Sequence, residues 1–190
     1  MIKIGILSSY NGSGYIAIKK ACEDGILNAK IVLVISNNSD ANVLKDASSN
    51  DIPNFAINQK KYPDEDLDEK ITNLMLEYNC DYIFLSGYMK KLGQKIVSTY
   101  ENKIINSHPA LLPNFGGKGM YGRFVHEAVV KAKAKQSGVT IHYVNNEYDK
   151  GEFILQNRLD IKENESVDSV ENRVKELELS TIVEAFKTFC

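Results

Sequence analysis

The chain has 190 residues, 25% charged and 43% hydrophobic, a length and composition for one domain whose core needs no disulfide or metal staple. Its 23 Lys and Arg against 25 Asp and Glu leave a formal charge of -2, which excludes a broad basic footprint for nucleic acid but not a local phosphate site. No apolar run approaches the roughly 18 residues of a membrane span, Ile2 to Leu7 is too brief for a secretory signal, and three unclustered cysteines fit a reducing cytoplasm.

Apolar runs of strand length alternate with helical patterns along the chain. Ile2 to Leu7 and Lys30 to Ile35 read as strands, and their near-continuous branched aliphatics imply burial on both faces, as in a parallel sheet. Between them Tyr15 to Gly25 has helical spacing, with Gly25 as its stop. Asp64 to Tyr78 reads as a helix with acids at its positive end and an apolar stripe of Leu67, Ile71, Leu74 and Tyr78. Its charge run Asp64 to Lys70 reads as a solvated face. Strands follow at Tyr82 to Leu85 and Lys103 to Asn106, with helices near Gln94 to Tyr100 and over Val125 to Lys135.

Beyond these, Val139 to Val144 and Phe153 to Leu159 flank the polar segment Asn145 to Gly151, close enough to form an antiparallel pair. Val167 to Phe189 closes the chain as a long helix. The order predicts an α/β fold. It is a Rossmann-like, open, mostly parallel twisted sheet with helices on both faces, ending in an antiparallel hairpin and a long helix. Ligands in such sheets sit beyond the carboxyl ends of the strands.

Two segments stand at such ends. Ser8-Ser9-Tyr10-Asn11-Gly12-Ser13-Gly14 follows the first strand, where glycines let backbone N–H groups approach an anion at a helix N-terminus. Gly12-Ser13-Gly14-Tyr15-Ile16-Ala17 also fits the loose dinucleotide pattern G-x-G-x-x-A, but the second strand ends Ser36-Asn37-Asn38 without the acid that would hold a ribose. A phosphate or phosphosugar site is the leading reading, with a plain tight turn as the alternative.

Asn106-Ser107-His108-Pro109-Ala110-Leu111-Leu112-Pro113 is the second segment. Residues two apart on a strand share a face, so Asn106 and His108 point together. Asn106 offers a neutral amide donor, and His108 a proton or a charge-assisted hydrogen bond. Asp149, in the polar segment, is the carboxylate that would favour the imidazolium form. Such a trio suits a reaction that builds negative charge on a carbonyl oxygen. Taken singly, a lone histidine is more often structural, and an aspartate before Lys150-Gly151 is usually a turn residue.

The Asn106 to Pro113 segment resembles the signature of the 10-formyltetrahydrofolate-dependent formyltransferases, and the resemblance runs nearly end to end. It takes in Asn11-Gly12-Ser13, Leu85-Ser86-Gly87-Tyr88-Met89, Asp149-Lys150-Gly151, Ile154-Leu155-Gln156, Arg173-Val174 and Glu178. The resemblance implies one formyltransferase domain over 1–190, phosphate-binding to about residue 100, then catalytic and folate-binding. It implies direct attack of the amine of phosphoribosylglycinamide on the formyl carbon of 10-formyltetrahydrofolate, without metal, and small-molecule partners rather than nucleic acid or membrane. A monomer and a homodimer both fit.

In that reading Asn106 and His108 stabilise the oxyanion, and Asp149 holds His108 charged. Gly12, Ser13 and Gly14 bind the substrate phosphate, and Lys175 and Glu178 lie on the substrate side, with Glu178 on the ribose hydroxyls. Met89, Lys90, Lys91 and Leu92 line the pteridine pocket together with Asn145, Asn146, Glu147, Tyr148 and Asp149. Lys90 and Lys91 read equally as a contact for the folate glutamate tail or as a solvated basic pair.

Several positions depart from the family pattern. Gly14 stands where asparagine is usual, Tyr62-Pro63-Asp64-Glu65 lacks a frequent arginine, and Leu179 replaces a common histidine. Gly116 to Gly122 is an atypical, flexible glycine-rich loop leading to His126. His126 reads as structural, His142 as packing or as a supporting residue of the site, and Cys22 as a buried small apolar residue. The three histidines lack metal-ligand spacing. A tRNA formyltransferase is expected to carry a further C-terminal domain and a formyltetrahydrofolate hydrolase an N-terminal regulatory one; sugar-amine formyltransferases are expected to be longer. A non-catalytic nucleotide-binding module would use the glycine loop alone and leave the trio without a purpose.

Overall fold

The computed structural model describes residues 1–190. Its elements in chain order are β1 (Ile2–Ser8), α1 (Ser13–Glu23), β2 (Ala29–Ser36), α2 (Asn42–Ser49), β3 (Asn54–Ala56), α3 (Leu67–Glu77), β4 (Tyr82–Leu85), α4 (Gln94–Thr99), β5 (Ile104–His108), α5 (Arg123–Lys131), β6 (Gln136–Tyr143), β7 (Phe153–Asp160) and α6 (Val167–Phe186). One seven-stranded sheet runs β3-β2-β1-β4-β5-β6-β7. The first five strands in that order are parallel, and β6 and β7 add antiparallel at one edge. The α/β, mostly parallel architecture read from the sequence is therefore the architecture of the protein.

Burial of both sheet faces explains the aliphatic runs. Ile4 and Ile6 of β1, Phe84 of β4 and Ile105 of β5 face one core, shared with α1, α2 and α6. Leu7, Ile83, Leu85 and Ile104 face the other, against α3 and α4. Strand alternation supplies both layers from the same residues. Gly5 lets α3 approach closely, since a Cβ there would lie 2.4 Å from Met75 Sδ and 2.9 Å from Cys80 Sγ.

Three differences from the sequence reading have physical causes. Neither α2 nor β3 is anticipated. The first buries only Val43, Leu44 and Ala47 among polar residues, and the second is a three-residue edge strand, too short for periodicity. α1 begins at Ser13, so Ser13 and Gly14 form its first turn. The acidic run on α3 is not wholly solvated. Asp66 is the N-cap, accepting from the Asp68 and Glu69 amides, while Asp68 caps α4 by accepting from Lys95 N at 2.8 Å and Ile96 N at 3.2 Å. Cys22 is half-buried, and all three cysteines are free. No helix is long and apolar enough to cross a membrane.

Candidate active site

Strand order reverses between β1 and β4, and the glycine loop follows β1 there. Ser9 N donates to Gly87 O at 3.2 Å, Met89 N to Ser9 Oγ at 2.8 Å and Tyr15 N to Ser86 Oγ at 3.0 Å, which ties the loops after β1 and β4 together. Gly12 caps α1 in the left-handed region at φ 65, and a Cβ there would lie 2.7 Å from Val43 Cγ2. Ile16 N returns to Gly12 O, but the amides of Ser13 and Gly14 have no protein acceptor. Ser8 Oγ, fully buried, has no partner either, and an ideal Gly12 Cβ would lie 3.4 Å from it. Free amides at a helix N-terminus suit an anion.

β5 carries the second half of the site. Asn106 and Ile104 share one face, and Ile105 and Ser107 the other. Antiparallel register sets Asn106 opposite His142 and His108 opposite Thr140. Asn106 Nδ2 lies 3.2 Å from His142 Nε2, and His142 Nδ1 lies 2.8 Å from Tyr143 O. A carbonyl only accepts, so the proton sits on Nδ1 and Nε2 accepts from the Asn106 amide. One N–H of Asn106 is thereby fixed and the other is left to donate. Burial pushes the His142 imidazole below its ordinary range, which keeps this ring neutral.

His108 is buried, and its Nε2 donates to the Phe115 carbonyl at 2.8 Å. Its Nδ1 faces Asp149 Oδ2 at 3.7 Å, an ion-pair distance longer than a hydrogen bond. Asp149 Oδ2 accepts from Gly117 N at 2.8 Å, and Oδ1 faces His142 Nε2 at 3.6 Å. Asp149 adopts the left-handed region, φ 57, in the β6–β7 turn. Gly151 is required beside it, since a Cβ there would lie 1.7 Å from Tyr143 O. Leu112-Pro113 is cis. The structure thus brings Asn106, His108 and Asp149 together, with His142 joined to them.

Other residues singled out from the sequence distribute around this centre. Met89, Lys90, Asn145, Asn146, Glu147 and Tyr148 are exposed, and half-buried Leu92 packs on the α3–α4 core. Lys91 Nζ stands 5.6 Å from the Tyr148 ring centroid, which joins the two segments expected to line one pocket. Glu147 pairs with Lys150 at 2.8 Å, and Asn145 Oδ1 accepts from Glu147 N. Lys175 Nζ is paired with Glu171 Oε1 at 2.6 Å, whereas Glu178 Oε1 accepts from Ser107 Oγ at 2.6 Å. Burial raises the Glu178 carboxyl above its ordinary range. His126 is buried in α5 with an unpartnered Nδ1, and burial lowers it. No group of three or more His, Cys, Asp or Glu is arranged to hold a metal ion.

Phe115, Gly117 and Ser107 are not singled out by the sequence. The first two act through backbone groups, which leave no side-chain signature, although the paired glycines Gly116-Gly117 mark the place. A Cβ on Gly116 would lie 2.4 Å from Leu112 Cδ2 and 3.3 Å from Asp149 Cβ. The loop expected to be flexible is at its start a brace for both His108 and Asp149.

A family model described as formyl transferase matches residues 2–186. The chain is 35% identical over 190 residues to chloroplastic phosphoribosylglycinamide formyltransferase of Arabidopsis thaliana, covering 99% of this chain and 65% of that protein. It is 36% identical over 179 residues to phosphoribosylglycinamide formyltransferase of Haemophilus influenzae, covering 94% of this chain and 82% of that one. The chain therefore spans about two thirds of the plant relative's length. Glycinamide ribonucleotide transformylase 1 of Symbiobacterium toebii superposes with a TM-score of 0.91 at 28% identity, over 100% of this chain and 87% of that structure. With a shared fold and a family match over residues 2–186, the chain belongs to the formyl transferase family.

Proposed function

We propose that the protein transfers the formyl group of 10-formyltetrahydrofolate to the amine of phosphoribosylglycinamide, a step of purine biosynthesis, in the cytoplasm. The observation that carries this reading is the cluster of Asn106, His108 and Asp149 at the carboxyl end of β5, with the free amides of Ser13 and Gly14 beyond the same end of β1, two places along the sheet. The amides of Gly12, Ser13 and Gly14 receive the substrate phosphate, Glu178 the ribose hydroxyls, and the outer face of α6 near Lys175 borders that side. Met89 to Leu92 and Asn145 to Asp149 line the folate side, and 10-formyltetrahydrofolate supplies the activated one-carbon unit.

As the amine nitrogen bonds to the formyl carbon, the carbonyl oxygen gains negative charge. The free N–H of Asn106 and the imidazolium of His108 stabilise it. Because Nε2 of His108 is bound to Phe115 O, the working nitrogen is Nδ1, the one facing Asp149. The Nδ1 proton goes to the folate nitrogen as its bond to the formyl carbon breaks. The proton lost by the attacking amine returns the imidazole to its charged form, assisted by the Asp149 carboxylate.

The test is an acceptor assay with purified protein. The reading expects folate product to form in step with formylated phosphoribosylglycinamide and only slowly without that amine. Formyl release to water at equal rates with and without acceptor would establish a hydrolase instead.

A further inference from the structure

Ser107 stands between Asn106 and His108 on β5 but points to the opposite face, where α6 packs. Its hydroxyl donates to Glu178 Oε1 at 2.6 Å, a charge-assisted distance across 71 residues of sequence. The carboxylate has no second protein donor. Lys175, one turn away on α6, is committed to Glu171 at 2.6 Å. Both members of the pair are half-buried. A long, otherwise untethered glutamate on a helix carries much rotamer freedom, and a strand serine holding one of its oxygens removes it.

We propose that Ser107 is a positioning residue for the ribosyl substrate. It locks Glu178 so that Oε2 accepts a ribose hydroxyl, and it references that carboxylate to the strand that bears Asn106 and His108. The phosphosugar and the oxyanion donors are then set by one backbone, and the amine arrives in register with the formyl carbon. This rests on the formyl-transfer reading above. It goes beyond that reading by giving the middle residue of the Asn-Ser-His run a role on the other substrate.

The test compares Ser107→Ala and Ser107→Thr with the unaltered protein, by equilibrium binding of phosphoribosylglycinamide and by steady-state kinetics in both substrates. Ser107→Ala is expected to weaken binding and raise KM for the ribosyl amine about fivefold to tenfold, the scale of one ordinary hydrogen bond lost from a positioning contact, and to leave KM for the folate unchanged. Ser107→Thr, which keeps the hydroxyl, is expected to restore most of the loss. In Glu178→Gln the further change Ser107→Ala is expected to cost little, because the two act as a pair. Equal effects on both substrates, no effect on either, or full additivity with Glu178→Gln would overturn the proposal. Should Ser107→Ala fail to fold by circular dichroism, Ser107→Cys gives the same size with a weak donor and is read in its place. If the unaltered protein neither binds nor formylates the ribosyl amine, the formyl-transfer reading falls and the proposal with it. If it does both and Ser107→Ala is indistinguishable from it, only the proposal falls.

Discussion

The Phe115 carbonyl and the His108 ring are joined at 2.8 Å through Nε2, and that single bond decides which histidine nitrogen is left for chemistry. With Nε2–H committed, Nδ1 faces Asp149 at 3.7 Å. Phe115 supplies the carbonyl from a left-handed conformation, φ 55, that a bulky residue rarely adopts, a strain of order 1 kcal/mol held by the surrounding loop. Replacing His108 by alanine removes the charged donor and is expected to cost about 3 kcal/mol of barrier, roughly a hundredfold in kcat. Near-normal turnover of that variant in the acceptor assay would remove His108 from the reaction.

His142 is expected to act on Asn106 rather than on substrate. Its neutral ring accepts one amide N–H of Asn106 and so fixes which end of the carboxamide is the donor. His142→Ala should lower kcat about tenfold through misorientation, with both KM values little changed. An NMR titration of the ring checks the protonation argument. Its midpoint is expected below that of an exposed histidine, because burial disfavours the charged form. A midpoint above neutrality would mean the ring is charged at pH 7 and cannot accept from Asn106.

The parts of this site legible in the sequence are those written in side chains at strand spacing. Asn106 and His108 two apart at a strand end, and glycines after the first strand, each carry a local signal. His142 does not, because its place opposite Asn106 depends on the β5–β6 register, a pairing across 36 residues that no local pattern encodes. Phe115 and Gly117 contribute main-chain groups, and Ser107 finds Glu178 only after α6 docks. The sheet was legible for a related reason, since buried parallel strands need aliphatics on both faces, while β3 and α2 are too short to show a period.

Gly14 has a structural reason to carry no side chain. A Cβ on Gly14 would lie 2.8 Å from Phe84 Cε1 and 3.0 Å from Ile182 Cδ1, so α1 packs here directly on β4 and α6. Gly14→Asn is expected to destabilise the protein by about 1–3 kcal/mol through overpacking. Denaturant unfolding monitored by circular dichroism checks it. An unchanged or higher midpoint would show that the core opens freely for a side chain at this position.

Acid sensitivity should concentrate at the entrance to α6. Glu165 accepts from Ser169 Oγ, Lys162 N and Arg173, and these donors pull its carboxyl from 4.5 down to about 2. A carboxylate depressed in the folded state adds stability that is fully present above its unfolded value and is lost as pH falls through the folded one. The relevant window is therefore between pH 4.5 and about 2. Glu165→Gln is expected to lower stability at pH 7 by about 2 kcal/mol, the scale of charge-assisted hydrogen bonds lost from a shielded group. The same variant should flatten the fall in stability between those two pH values, because it has no proton to take up. Denaturant midpoints measured at several pH values compare the two slopes. Parallel slopes for the variant and the unaltered protein would assign the acid transition to other carboxylates.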